Sequence, residues 1–167
     1  MNLNSRRRFI QAGFAGSVVL IAINSKLFGG VSVLETVFVL QEDLFPQSTG
    51  VPTKKQINAK SYLSLILNHP RVTDSDKKFI KNGIRWLNEE AVDKYKKIYI
   101  RLTPSQRQDI LNEISLTSWG EDFIADILKY IFEAMLGDPI YGINKDESGW
   151  KWLNHRPGLP RPKVTYL

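Results

Sequence analysis

The chain has 167 residues, of which 43% are hydrophobic and 24% charged, a composition typical of one globular domain of ordinary size. It contains no cysteine, which excludes disulfides, thiolate metal sites, iron–sulfur ligation and a cysteine nucleophile. Its two histidines, His69 and His155, are far apart in the chain, and no glycine-rich phosphate loop is present. Composition therefore favours a helper or binding subunit over an enzyme, and predicts that this chain holds no cofactor or metal of its own.

The net charge of +6 is concentrated at the two ends of the chain. Residues 1–30 contain four Lys or Arg and no acid, and residues 148–167 have the same balance. The stretch between them is slightly acidic, with fifteen basic and seventeen acidic side chains. Because the body is slightly acidic and the basic tail carries no recognised nucleic-acid motif, we expect no nucleic-acid partner.

Residues 1–30 have the pattern of a twin-arginine (Tat) export signal. The run S-R-R-R-F-I-Q at residues 5–11 places Arg6, Arg7 and Phe9 at the signal positions, and an apolar stretch follows at 12–23. As a helix that stretch would be about 18 Å long, short of the roughly 30 Å hydrocarbon core. A core helix with a basic start and an uncleaved anchor are the alternatives. Resemblance to Tat-exported proteins implies a cargo that crosses the membrane already folded, so a cofactor-poor chain is expected to carry a partner that holds one.

The first element of the body, residues 31–40, is rich in β-branched residues and fits a strand. Leu34, Phe38 and Leu44 also fit one face of a helix, so both interpretations remain open. Phe45-Pro46 ends the element, and residues 47–52 form a loop.

Four helical segments are predicted between residues 53 and 137. The first runs from Thr53 to His69-Pro70, and the second is capped by Thr73 or Asp74. The third begins with the T-P-S-Q capping box at 103–106, and the fourth ends at Gly137. The fourth has a broad apolar face: Phe123, Ile124, Ile127, Leu128, Ile131, Phe132, Met135 and Leu136. With no strand alternation here, the fold class is all-α, a small helical bundle over residues 31–137.

Residues 138–167 are predicted to form an extended arm rich in proline, glycine and aromatic residues. Three prolines lie among residues 155–167, which disfavours helix and central strand. The arm also contains Tyr141, Trp150, Trp152 and Tyr166, a large apolar area to leave in water. We therefore expect it to wrap a surface, either its own bundle or another chain, with its rings as anchors.

No group of residues in the sequence has the pattern of a catalytic site. Glu121, Asp122 and Asp126 lie near one helix face, but di-iron bundles need Glu-x-x-His pairs, and no glutamate lies three residues before either histidine. Trp86 and Trp119 are better explained as core or interface residues than as sugar-binding platforms.

Several motifs in order along the chain resemble one family. They are the leader, L-F-P at 44–46, F-x-x-x-G-I-x-x-L at 79–87, P-x-Y-G-x-N at 139–144, G-W at 149–150 and P-G at 157–158. Together they resemble subunit 3, the small gamma subunit, of gluconate 2-dehydrogenase. Ile143 departs from the pattern, since the family commonly has a second glycine there.

The resemblance implies a periplasmic complex at the inner membrane. Its large subunit binds FAD and oxidises gluconate or a related sugar or polyol, and a cytochrome c subunit with haem c takes the electrons. The small subunit is implied to be non-catalytic, to engage the Tat translocase for the large subunit and to help that subunit mature. The arm residues expected at the partner interface are Pro139, Tyr141, Gly142, Asn144, Gly149, Trp150 and Trp152. Two alternatives remain open, namely a contribution of His155 or Asn144 to the partner's active site, and an independent periplasmic binding or structural protein.

Overall fold

The computed structural model describes residues 33–165, and within that range every regular element is helical. The predicted all-α fold class is confirmed. The α-helices are α1 (Val33–Leu44), α2 (Lys54–Ile57), α3 (Ala59–Asn68), α4 (Asp74–Tyr95), α5 (Pro104–Ile114), α6 (Ser118–Leu136) and α7 (Ser148–Trp152). Short 3-10 turns cover Tyr99–Arg101, Pro139–Tyr141 and Lys145–Glu147. The predicted signal residues Arg6, Arg7 and Phe9, and Tyr166 of the arm, lie outside the described residues.

The β-branched run that begins the body is helical, so its strand interpretation is wrong. Val37 and Leu40 on α1 are fully buried against the other helices. The energy of packing an apolar helix face outweighs the modest preference of valine for extended backbone. The helix ends at Leu44, directly before Phe45-Pro46 as predicted.

The predicted helix starts are confirmed, and their caps explain them. Thr53 with Gln56, and Thr103 with Gln106, form capping boxes, and the Thr73 side chain accepts a hydrogen bond from the Asp76 backbone. The first predicted segment is divided in two because Asn58 takes a left-handed conformation with φ of 56°.

Helix α6 lies at the centre of the core and contacts each of the other six α-helices of residues 33–165. Gly83 of α4 permits one close approach, because a Cβ there would overlap the ring of Phe123. The largest fully buried side chains are Tyr99, Phe123, Leu40, Leu63, Ile80, Ile84, Leu87, Ile98, Ile110, Ile114, Ile127 and Ile131. Gly137 ends α6 with an extended rather than left-handed backbone (φ −69°), and a side chain there would meet Ile143.

The prediction of an extended arm is wrong for residues 139–152. These residues form short helical turns and α7, and they pack on the same body through Ile143, Asn144 and Trp150, each at most 4% exposed. Burial of these side chains and the bonds of Asn144 offset the entropy of ordering the segment. Residues 153–165 contain no regular helix or strand.

Candidate partner interface

Asn144 holds the start of the C-terminal segment to the end of α6. Its Nδ2 donates to the Gly137 carbonyl at 3.0 Å, and its Oδ1 accepts from the Gly149 amide at 2.8 Å. Its own backbone N–H donates to the Ile57 carbonyl at 3.3 Å. Gly149 is itself enclosed, because a Cβ there would overlap the backbone of Met135. Both residues therefore act inside this chain, not at a partner surface.

Trp150 is likewise buried inside this chain. Its Nε1 donates to the Leu136 carbonyl at 2.6 Å, and the Arg161 guanidinium lies 4.5 Å from its ring centroid. Arg161 also donates to Asp138 at 2.7 Å and to Glu147 at 3.1 Å. This hydrogen bond to Arg161 holds the pKa of Asp138 below its ordinary value. Arg161 therefore covers the indole ring of Trp150. Asn144, Gly149 and Trp150 were predicted as partner contacts, but the structure places them inside this chain, where they hold the segment to its own body.

The other predicted interface residues lie nearer the surface. Pro139 and Tyr141 are half-buried in one 3-10 turn, and Gly142 follows at φ of 75°, with its carbonyl accepting from Asn58 Nδ2 at 2.8 Å. Trp152 is 40% exposed. Of the predicted set, it presents the largest exposed side chain to a partner.

Trp152 belongs to an exposed apolar surface that we call the aromatic patch. The patch consists of Phe45, Phe132, Leu136, Trp152 and Leu153, and its last four members are 38–48% exposed. The ring of Phe45 meets the ring of Phe132 at 6.0 Å and the ring of Trp152 at 6.3 Å, edge to face in both cases. The patch therefore joins the end of α1, the last turns of α6 and the end of α7.

The sequence places Phe132 and Leu136 on the broad apolar face of α6. Their i, i+4 spacing made them part of that face, but the eight apolar residues form a stripe wider than the core covers. The excessive width of the stripe was a signal in the sequence that part of it would stay exposed.

Two concavities with basic side chains border the patch. Beside Phe45 lies a cleft of about 270 Å³, here called the lysine cleft, with Lys54, Lys55 and Lys60 among its lining residues. Beside Leu136 lies an open hollow of about 550 Å³, the C-terminal hollow, lined by Leu136, Leu153, Asn154, His155 and Arg156. The patch is thus apolar at its centre, with cationic side chains on two of its sides.

Carboxylates of α5 and α6 each have a separate partner in the structure. Asp126 pairs with Lys129 at 2.8 Å, Glu113 pairs with Lys94 at 2.6 Å, and Asp109 accepts from Tyr95 Oη at 2.9 Å. Between residues 33 and 165, no three histidine or carboxylate side chains gather where a metal ion could bind. Over the same range, no helix has both the length and the apolarity needed to cross a bilayer.

A polar network lies at the C-terminal end of α1. Asp43 receives two hydrogen bonds from Arg107, at 2.7 and 3.0 Å, and one from Tyr99 Oη at 2.8 Å. Burial, followed by the hydrogen bond to Asp43, raises the pKa of Tyr99, and the same carboxylate raises the pKa of Arg107. These groups tie α1 to α5 and face no cavity described above, so we assign them a structural role.

A family model described as gluconate 2-dehydrogenase subunit 3 matches residues 33–158. The chain belongs to this family. The match spans all seven α-helices of the described residues and ends beyond Trp152, so it includes every member of the aromatic patch. The family name implies that the chain is one component of a multi-subunit gluconate 2-dehydrogenase complex. Comparison with curated proteins and with solved structures gives no match.

Proposed function

We propose that this chain is the non-catalytic small subunit of a flavin-dependent dehydrogenase, and that it carries the large subunit through Tat export. Three features support the proposal. The sequence begins with a twin-arginine pattern, the family is that of a dehydrogenase subunit, and the body exposes an aromatic patch. The patch carries most weight, because exposed contiguous apolar surface on a small protein usually marks a contact with another macromolecule.

In this proposal the chain folds in the cytoplasm, binds the large subunit with its FAD, and leads the complex to the periplasm. There it remains bound at the inner membrane, where a cytochrome c subunit accepts the electrons. The contribution of this chain is binding and orientation. Asn144 and Trp150 keep the C-terminal segment folded on α6, so that Trp152 and Leu153 are presented beside Phe132.

The experiment is to replace both signal arginines, Arg6→Lys and Arg7→Lys, and to measure the large subunit in periplasmic and cytoplasmic fractions. We expect the large subunit to remain in the cytoplasm, since the Tat translocase reads the arginine pair. Arg8→Lys is the matched control, because it changes the unspecified position of the same pattern and leaves export normal. Normal periplasmic levels of the large subunit with the double variant would contradict the carrier role.

The alternative is that this chain contributes His155 or Asn144 to the partner's active site, and the two residues differ in exposure. The Asn144 amide is fully buried and bonded at both ends, so it does not reach a substrate. His155 is exposed in the C-terminal hollow and is the residue on which that alternative now rests.

A further inference from the structure

We propose that the aromatic patch and the lysine cleft together bind an apolar segment of the large subunit that has carboxylates on either side. This inference rests on the proposed function and goes beyond it by assigning the docking surface and the chemistry of what docks there.

The shape of the surface fits side chains inserted from another protein. Phe45 lies at its centre, because it contacts both rings of the patch and also lines the lysine cleft. A partner chain crossing Phe45 would cover the exposed faces of Phe132 and Trp152 and place an apolar side chain in the cleft. Aromatic anchors next to a pocket are the usual centre of a protein–protein interface.

The charges around the surface select an acidic partner. Lys54 is paired with Glu42 at 2.9 Å, whereas Lys60 lies over the ring of Phe38 at 4.1 Å. Among the described residues, neither Lys55 nor Arg156 has a carboxylate within ion-pair distance. Cations on both sides of an apolar centre favour an apolar segment with carboxylates at both ends, which would also speed association.

A second copy of this chain and a lipid surface fit less well. In a symmetric dimer the two patches would face each other, and Lys55 and Arg156 of one copy would lie near the same two cations of the other. An anionic bilayer would satisfy the charges, but it would leave the cleft unfilled, and the rings of Phe132 and Trp152 are less than half exposed.

The test uses the full chain and the large subunit of its own complex, with the dissociation constant measured at two salt concentrations. Phe132→Ala with Trp152→Ala is expected to weaken binding by about tenfold or more, because each ring is an anchor. Lys55→Glu with Arg156→Glu is expected to weaken binding and to flatten its salt dependence.

Two matched controls are available on the same chain. Leu116→Ala removes an 89% exposed side chain at the turn before α6, and the start of that helix lies about 21 Å along its axis from Phe132. Lys78→Glu with Lys81→Glu reverses two exposed charges on α4, away from the patch. Both are expected to bind within about twofold of the unmodified chain.

If the Phe132/Trp152 variant and the Lys55/Arg156 variant both bind with wild-type affinity, the proposed docking surface is wrong, whereas the carrier role is unaffected. Failure of the unmodified chain to bind the large subunit would overturn the proposed function itself. A dimer of the unmodified chain that the Phe132/Trp152 variant dissociates, or patch-dependent binding to phosphatidylglycerol vesicles without loss of subunit binding, would replace the partner named here. The charge variant keeps the test decisive if the aromatic variant fails to fold, because both of its residues are exposed.

Discussion

Asn144→Ala should destabilise the protein more than any surface substitution in the C-terminal segment. The change leaves the buried Gly149 amide without its partner, at about 1–3 kcal/mol, and the half-buried Gly137 carbonyl without its own, at about 1 kcal/mol. Asn144 also has φ of 43°, and alanine tolerates this left-handed backbone less well than asparagine, by about 1 kcal/mol. The expected loss is about 3–5 kcal/mol, a large part of the roughly 5–15 kcal/mol that stabilises a domain.

The assay is urea unfolding of the full chain followed by circular dichroism, with the free energy of unfolding obtained by linear extrapolation. Asn154→Ala is the matched control, because Asn154 has the same left-handed backbone (φ 51°) but is exposed. That control isolates the backbone contribution, and its loss should be about 1 kcal/mol. If Asn144→Ala costs no more than Asn154→Ala, then the buried amide does not hold the segment to α6 and the reasoning is refuted.

Further predictions concern the stability that Arg107 provides, the pKa of Asp138 and the role of His155. Arg107→Ala should lower the free energy of unfolding by about 2–3 kcal/mol, because it leaves the mostly buried Asp43 carboxylate without its cation. The pKa of Asp138, followed by NMR, should lie below the ordinary value of about 3.9 and return toward it in Arg161→Gln. Because the folded-state pKa is lowered, the pair stabilises the fold at pH above the unfolded value, and this contribution is lost as pH falls through the folded value. His155→Gln should leave turnover of the assembled complex unchanged.

Lys129→Ala breaks an exposed pair with Asp126 and should cost less than about 1 kcal/mol, so an equal loss in Arg107→Ala would contradict the importance of burial. An Asp138 pKa that does not change in Arg161→Gln would show that the pair is not formed in solution. Normal assembly with lost turnover in His155→Gln would instead favour the active-site alternative.

The candidate interface could be predicted only in part. The aromatic residues of the C-terminal segment indicated a surface that buries rings, and Trp152 is exposed as that interpretation requires. The same composition could not show that Trp150 is bound to Leu136 and covered by Arg161. Nor could it show that Phe132 is left uncovered, because which part of a wide apolar stripe is buried depends on the helices that pack on it.

What the sequence determined by itself is local. The capping boxes at Thr53 and Thr103 and the stop at Phe45-Pro46 involve residues within four positions of one another, so they are legible along the chain and fix where helices begin and end. Tertiary structure alone decided that α1 is helical and that residues 139–152 fold back on α6. Those outcomes depend on contacts such as Asn144 with Ile57, made between residues distant in sequence, whose burial outweighs local preference.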